Sequence, residues 1–118
     1  IVIASTWRSG SSFVYDLFDS HPDVYVHYEP LQPYGVQTFY QESSFTEFAQ
    51  NLIHSLSQCR YNSEYLSKAS ILSYTFRRNQ KLMKYCEKRG LKNQTACYWS
   101  EHLETICKAY KWTGIKLT

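Results

Sequence analysis

The sequence predicts an α/β fold, a parallel sheet flanked by helices, on two observations. The apolar run Ile1-Val2-Ile3-Ala4 leads straight into a loop of small hydroxyl residues around Gly10, and a helix-like stretch opens directly behind that loop. A second strand-like run, Val24-Tyr25-Val26-His27-Tyr28, follows the helix at once. Strand, helix and strand in that order make a right-handed crossover unit with both strands parallel.

The first strand is predicted over Ile1–Ser5, and its continuous apolar character suits burial on both faces. The helix is predicted from Ser11 to Ser20, with Phe13, Leu17 and Phe18 facing inward and Pro22 ending it. Glu29-Pro30 closes the second strand, because proline cannot continue the ladder. Residues 31–42, with Pro33 and Gly35, read as a long loop over this edge. Phe45, Phe48, Ala49, Leu52, Ile53 and Leu56 recur at helical spacing and predict a helix over Thr46–Cys59 packed into the core. Residues 61–75 fit either a short helix or an extended stretch. A helix over Lys81–Arg89 with Gly90 as its cap, a loop over Leu91–Tyr98, a helix over Glu101–Lys111 and a third strand over Thr113–Leu117 complete the order. The first strand is expected at the centre of the sheet.

Ligands of parallel sheets bind at the carboxyl ends of the strands, where both the 6–12 loop and Glu29 fall. The loop reads as a phosphate cradle: amides and a helix dipole converge there, Arg8 adds a planar fork of donors, and Ser9, Ser11 and Ser12 add hydroxyls. It lacks the second glycine and the Lys-Ser/Thr pair of a nucleotide-triphosphate loop, so it implies no metal.

Ser5-Thr6-Trp7-Arg8-Ser9-Gly10-Ser11-Ser12-Phe13, His21-Pro22-Asp23-Val24 and Tyr28-Glu29-Pro30 together resemble the 5′-phosphosulfate loop and second strand of the Golgi carbohydrate 6-O-sulfotransferases. Phe76-Arg77-Arg78, Cys86, the sequon Asn93-Gln94-Thr95, Cys107 and Gly114-Ile115-Lys116 resemble the branch of chondroitin 6-sulfotransferase and keratan sulfate galactose 6-sulfotransferase. The resemblance implies a P-loop-like sheet, the sulfotransferase fold. It makes residues 1–118 the N-terminal portion of a single domain, with the phosphosulfate loop at 5–13. The family's 3′-phosphate motif, an Arg-Asp-Pro-Arg segment with a later serine, would follow Thr118, so the isolated chain is expected to be inactive. The implied donor is 3′-phosphoadenosine 5′-phosphosulfate, held by Thr6, Arg8, Ser9, Gly10, Ser11, Ser12 and Phe13, with Phe13 chiefly anchoring the helix. Arg8 is the implied contact to the leaving group and Glu29 the implied general base, the alternative for Glu29 being a brace to Arg8. His27 reads as a surface histidine. The acceptor is a glycan or glycosaminoglycan, the compartment the Golgi lumen, and any membrane anchor belongs to the missing N-terminal region.

Composition fits this frame. A hydrophobic fraction of 43% in 118 residues supports one core. Four cysteines, Cys59, Cys86, Cys97 and Cys107, allow three pairings, and combined with the sequon at Asn93 and the family resemblance they favour an oxidising, glycosylating lumen. Their spacing matches no structural zinc site. The net charge of +3 is concentrated in Arg77, Arg78, Lys81, Lys84, Lys88, Arg89 and Lys92, which form either a solvated face or a basic wall for an acidic glycan. No stacking or groove-reading motif accompanies them, which argues against nucleic acid. Two other classes compete: a nucleotide-triphosphate kinase or hydrolase with a degenerate loop, and a non-catalytic secreted carbohydrate-binding module. The first needs a metal-binding Asp at another strand end, and Gly114–Thr118 offers none.

Overall fold

A computed structural model describes residues 1–6, 8–35 and 44–118. Trp7 and most of the 31–42 loop, from Val36 onward, lie outside them. The elements run β1 (Val2–Ala4), α1 (Ser11–Ser20), β2 (Val24–Tyr28), α2 (Ser44–Ser57), α3 (Ser63–Leu72), α4 (Tyr74–Arg77), α5 (Gln80–Lys88), α6 (Ser100–Lys108) and β3 (Trp112–Leu117). Short 3-10 turns stand at Gln32–Tyr34 and Thr95–Tyr98.

All described strand pairs are parallel, and the sheet order is β1-β3-β2. The last strand therefore sits in the middle, and β1 lies at the edge of the described sheet rather than at its centre. Nor is β1 covered on both faces: Val2 is 60% exposed, whereas every residue of β2 is buried. The doubly covered strand is β2. Gly114 of β3 packs flat on Val26, and a Cβ there would lie 3.3 Å from the Val26 Cγ2 atom.

The two faces of the sheet carry separate cores. On one, Tyr15 of α1 packs with Val24, Val26 and Tyr28. On the other, Tyr25 and Ile115 meet α2, α5 and α6 through Leu52, Leu56, Leu82, Leu103 and Ile106. The face that α1 turns inward differs in part from the predicted one: Tyr15 and Asp19 are buried and Phe18 packs half-buried against the core as expected, while Phe13 and Leu17 are 68% and 56% exposed. Polar partners between α4 and the start of α5 meet the buried pair. The Tyr15 hydroxyl donates to the Arg78 carbonyl at 3.3 Å, and Asp19 Oδ2 accepts from the Gln80 amide at 3.2 Å.

Residues 63–72 are helical, started by Asn62, whose side chain accepts from the Tyr65 amide at 2.7 Å. Asn79 does the same for α5 and also donates to the Val26 carbonyl at 2.8 Å, tying α5 to β2. Gly90, with φ 69°, follows α5 in the left-handed conformation expected of its cap. Two disulfides, Cys59–Cys107 and Cys86–Cys97, lock α6 to the end of α2 and α5 to the turn at 95–98.

Candidate active site

The carboxyl edge of the sheet gathers the sequence-predicted residues. β1 ends at Ala4, and Ser5 is pinned to β3 through its amide and hydroxyl, which both donate to the Leu117 carbonyl. The chain then turns through Arg8, with φ 58°, to Gly10, with φ 84°, which is the N-cap of α1. Glycine tolerates that left-handed backbone freely; arginine adopts it at a cost of roughly 1–2 kcal/mol. The amides of Phe13 and Val14 are satisfied by the Gly10 carbonyl. Among the described residues no side chain caps this helix end, and its first turn carries no acidic residue. The N-terminal amides and the positive end of the dipole are therefore offered outward beside the exposed Arg8, Ser9 and Ser12. Thr6 is exposed at the start of the loop, and Ser11 is half-buried. Phe13 does not anchor the helix: its ring lies at the surface.

Glu29 stands at the end of β2 on the same edge. Strict alternation would place it on the face of His27. Its φ of 42° turns the chain instead, and the carboxylate meets β3 at Lys116, whose ammonium lies 4.7 Å from the Tyr28 ring centroid. Lys116 and Thr118 both donate to Glu29 Oε1. The cation that braces Glu29 is thus Lys116, not Arg8. Pro30 and Tyr28 are buried around it and leave the Glu29 side chain 18% exposed. Left-handed backbone at a non-glycine residue persists where surroundings enforce it, and both Arg8 and Glu29 have it.

His27 is buried, against the expectation of a surface position. Its Nδ1 donates to the Gly114 carbonyl at 3.2 Å, which leaves Nε2 as the acceptor for the Tyr61 hydroxyl at 2.6 Å. Burial lowers its pKa to about 4, opposed by the bond to Gly114. This histidine is a neutral strut.

Lys116 is the residue that sequence reasoning missed. Its signal was present: a lysine inside the apolar run of a buried strand needs a counter-charge, and Glu29 was the carboxylate already assigned to that edge. Arg78, grouped by sequence with residues of either a solvated face or a basic wall, has a packing role instead. It pairs with Asp16 at 2.9 Å and lies about 5.5 Å from the rings of both Tyr15 and Tyr28, so it braces α1 on β2. Among the described residues no group of three His, Cys, Asp or Glu side chains could hold a metal, and no helix is long and apolar enough to cross a membrane.

Comparison with curated proteins finds a segment of 31 residues, 26% of this chain, that is 55% identical to carbohydrate sulfotransferase 7 of Mus musculus. That segment of the chain is similar to the carbohydrate sulfotransferases. Carbohydrate sulfotransferase 6 of Homo sapiens is 57% identical over 30 residues, and so is carbohydrate sulfotransferase 4 of Mus musculus. The match spans 6% of the length of the first of these sulfotransferases and 8% of the other two. No family profile matches the chain, and no solved structure does.

Proposed function

We propose that this chain is the donor-binding part of a carbohydrate 6-O-sulfotransferase, which moves a sulfuryl group from 3′-phosphoadenosine 5′-phosphosulfate to the 6-hydroxyl of a sugar in a glycan or glycosaminoglycan. The supporting observation is that an uncapped helix N-terminus and a shielded carboxylate share one sheet edge. In the reaction the bond between sulfur and the bridging oxygen breaks, the bond from sulfur to the sugar oxygen forms, and the hydroxyl proton passes to Glu29. Arg8, the amides of Ser11 and Ser12 and the hydroxyls of Thr6, Ser9, Ser11 and Ser12 receive the 5′-phosphate and the charge left on it. Gly10 keeps the loop close to the phosphate; Phe13, at the surface, flanks the donor site. Lys116 holds the carboxylate in place. Two buried disulfides and the exposed Asn93 sequon support a lumenal, glycosylated protein of the Golgi.

Glu29→Gln in the full-length protein tests the base. Glutamine retains an oxygen for Lys116 and removes the basicity, so sulfate transfer should fall about 100- to 10,000-fold while donor affinity stays within a few-fold. Near-normal transfer would remove Glu29 from the chemistry. Donor affinity lost along with transfer would make it a structural brace to Lys116.

A further inference from the structure

A groove of about 490 Å³ opens on the side of the molecule away from the phosphate loop, between the end of α1, α5 and the end of α6. Lys81, Lys84, Lys88 and Arg89 line one wall. Lys81, Lys84 and Lys88 are spaced i, i+3 and i+7, so they share one face of α5 and form a row roughly 10 Å long. Ser20 and Pro22 precede β2, and Tyr110 precedes β3, which places the groove at the amino ends of the strands. The five residues of β2 separate that end from Glu29, roughly 16 Å at about 3.3 Å per residue. The groove is therefore distinct from the candidate transfer site.

Its chemistry favours a linear polyanion with saturated, non-stacking units. The one carboxylate in the lining, Asp19, is buried and turned to the α5 amide of Gln80. Lys81 is tied to the Asp19 carbonyl, whereas Lys84, Lys88 and Arg89 are exposed. The aromatic faces are occupied: the Arg89 guanidinium lies 3.6 Å from the Tyr85 ring centroid, and Lys81 lies 5.4 Å from that of Tyr110. Nucleic acid bases would want such faces open for stacking. Sulfate and carboxylate groups want only the cations.

We propose that this groove is an exosite for a sulfated glycosaminoglycan, gripping the acceptor polymer at a distance from the sugar being modified. The proposal rests on the reading of the acceptor as an anionic glycan, but its test needs no sulfate donor. In the full-length protein, fluorescence anisotropy with a fluorescein-labelled chondroitin sulfate dodecasaccharide at low salt should show saturable binding. The double variant Lys84→Gln/Lys88→Gln, at two exposed positions, should weaken it about ten-fold or more, and added salt should abolish it. The charge-matched control Lys68→Gln/Lys92→Gln, outside the groove, should change affinity less than two-fold. Equal weakening by both double variants would reduce the effect to net charge and overturn the exosite, as would absence of binding by the unaltered protein. Competition by a single-stranded oligothymidylate as strong as by unlabelled chondroitin sulfate would overturn the assignment to glycan. Failure of Glu29→Gln to impair transfer would leave these outcomes unaffected, so the two proposals fail separately.

Discussion

Burial separates Glu29, just beyond the carboxyl end of β2, from His27 within the strand. Glu29 keeps a partly open carboxylate beside Lys116, while His27, two residues earlier, is sealed against Tyr61. Tyr-Glu-Pro made the position of Glu29 legible from sequence; the identity of its partner depended on which strand would lie beside β2, and Lys116 is 87 residues away. The burial of His27 depended likewise on Tyr61, which no local pattern connects to it. A pH prediction follows from that burial. With a folded pKa of about 4 against an ordinary 6.5, the unfolded chain takes up the proton first as pH falls. The stability contribution is thus complete above about pH 6.5 and lost toward pH 4, a change on the order of 3 kcal/mol. Urea unfolding at pH 7 and pH 4.5 should show a steeper acid loss in the unaltered protein than in His27→Gln. The same acid loss in both would mean that His27 titrates normally.

For the elements, the order of strands and helices was readable because period and punctuation agree: Pro22 and Pro30 bracket β2, and asparagines stand before α3 and α5. The inward face of α1 was not. Hydropathy ranks Phe13 and Leu17 above Tyr15 and Asp19, yet the latter pair finds hydrogen-bonding partners at Arg78 and Gln80 that lie more than sixty residues away. Tyr15 also packs edge-on against Tyr28, with ring centroids 4.8 Å apart. Tyr15→Ala should therefore cost about 3–5 kcal/mol in denaturant unfolding, the range for removing a buried aromatic ring, and Leu17→Ser no more than about 0.5 kcal/mol. A Leu17 substitution as costly as the Tyr15 one would restore the face that hydropathy suggests. The stretch 61–75 was ambiguous for a related reason: its helix is only weakly amphipathic and owes its start to Asn62.

In the whole molecule, a parallel sheet can insert its last strand anywhere, so the order β1-β3-β2 lies beyond what strand sequence alone specifies. It is this insertion that sets Lys116 between β1 and β2, beside Glu29. The cysteine pairing was equally open until the helices were packed. Closing loops of 48 and 11 residues should contribute about 4 and about 3 kcal/mol through the unfolded state. Non-reducing peptide mapping of secreted, full-length protein should return Cys59–Cys107 and Cys86–Cys97, with a glycan on Asn93, exposed in the smaller loop. Free thiols with an unmodified Asn93 would contradict a lumenal protein. The central claim is that the edge built by β1, the 6–12 loop and α1 receives a phosphosulfate donor. Calorimetric titration of the full-length protein with 3′-phosphoadenosine 5′-phosphate tests it most directly. One-to-one binding is expected, weakened about ten- to a hundred-fold by Arg8→Ala, the loss expected for charged hydrogen bonds to phosphate, with an unchanged melting temperature because Arg8 is exposed. Equal affinity in the variant, or no binding by the unaltered protein, would contradict the account.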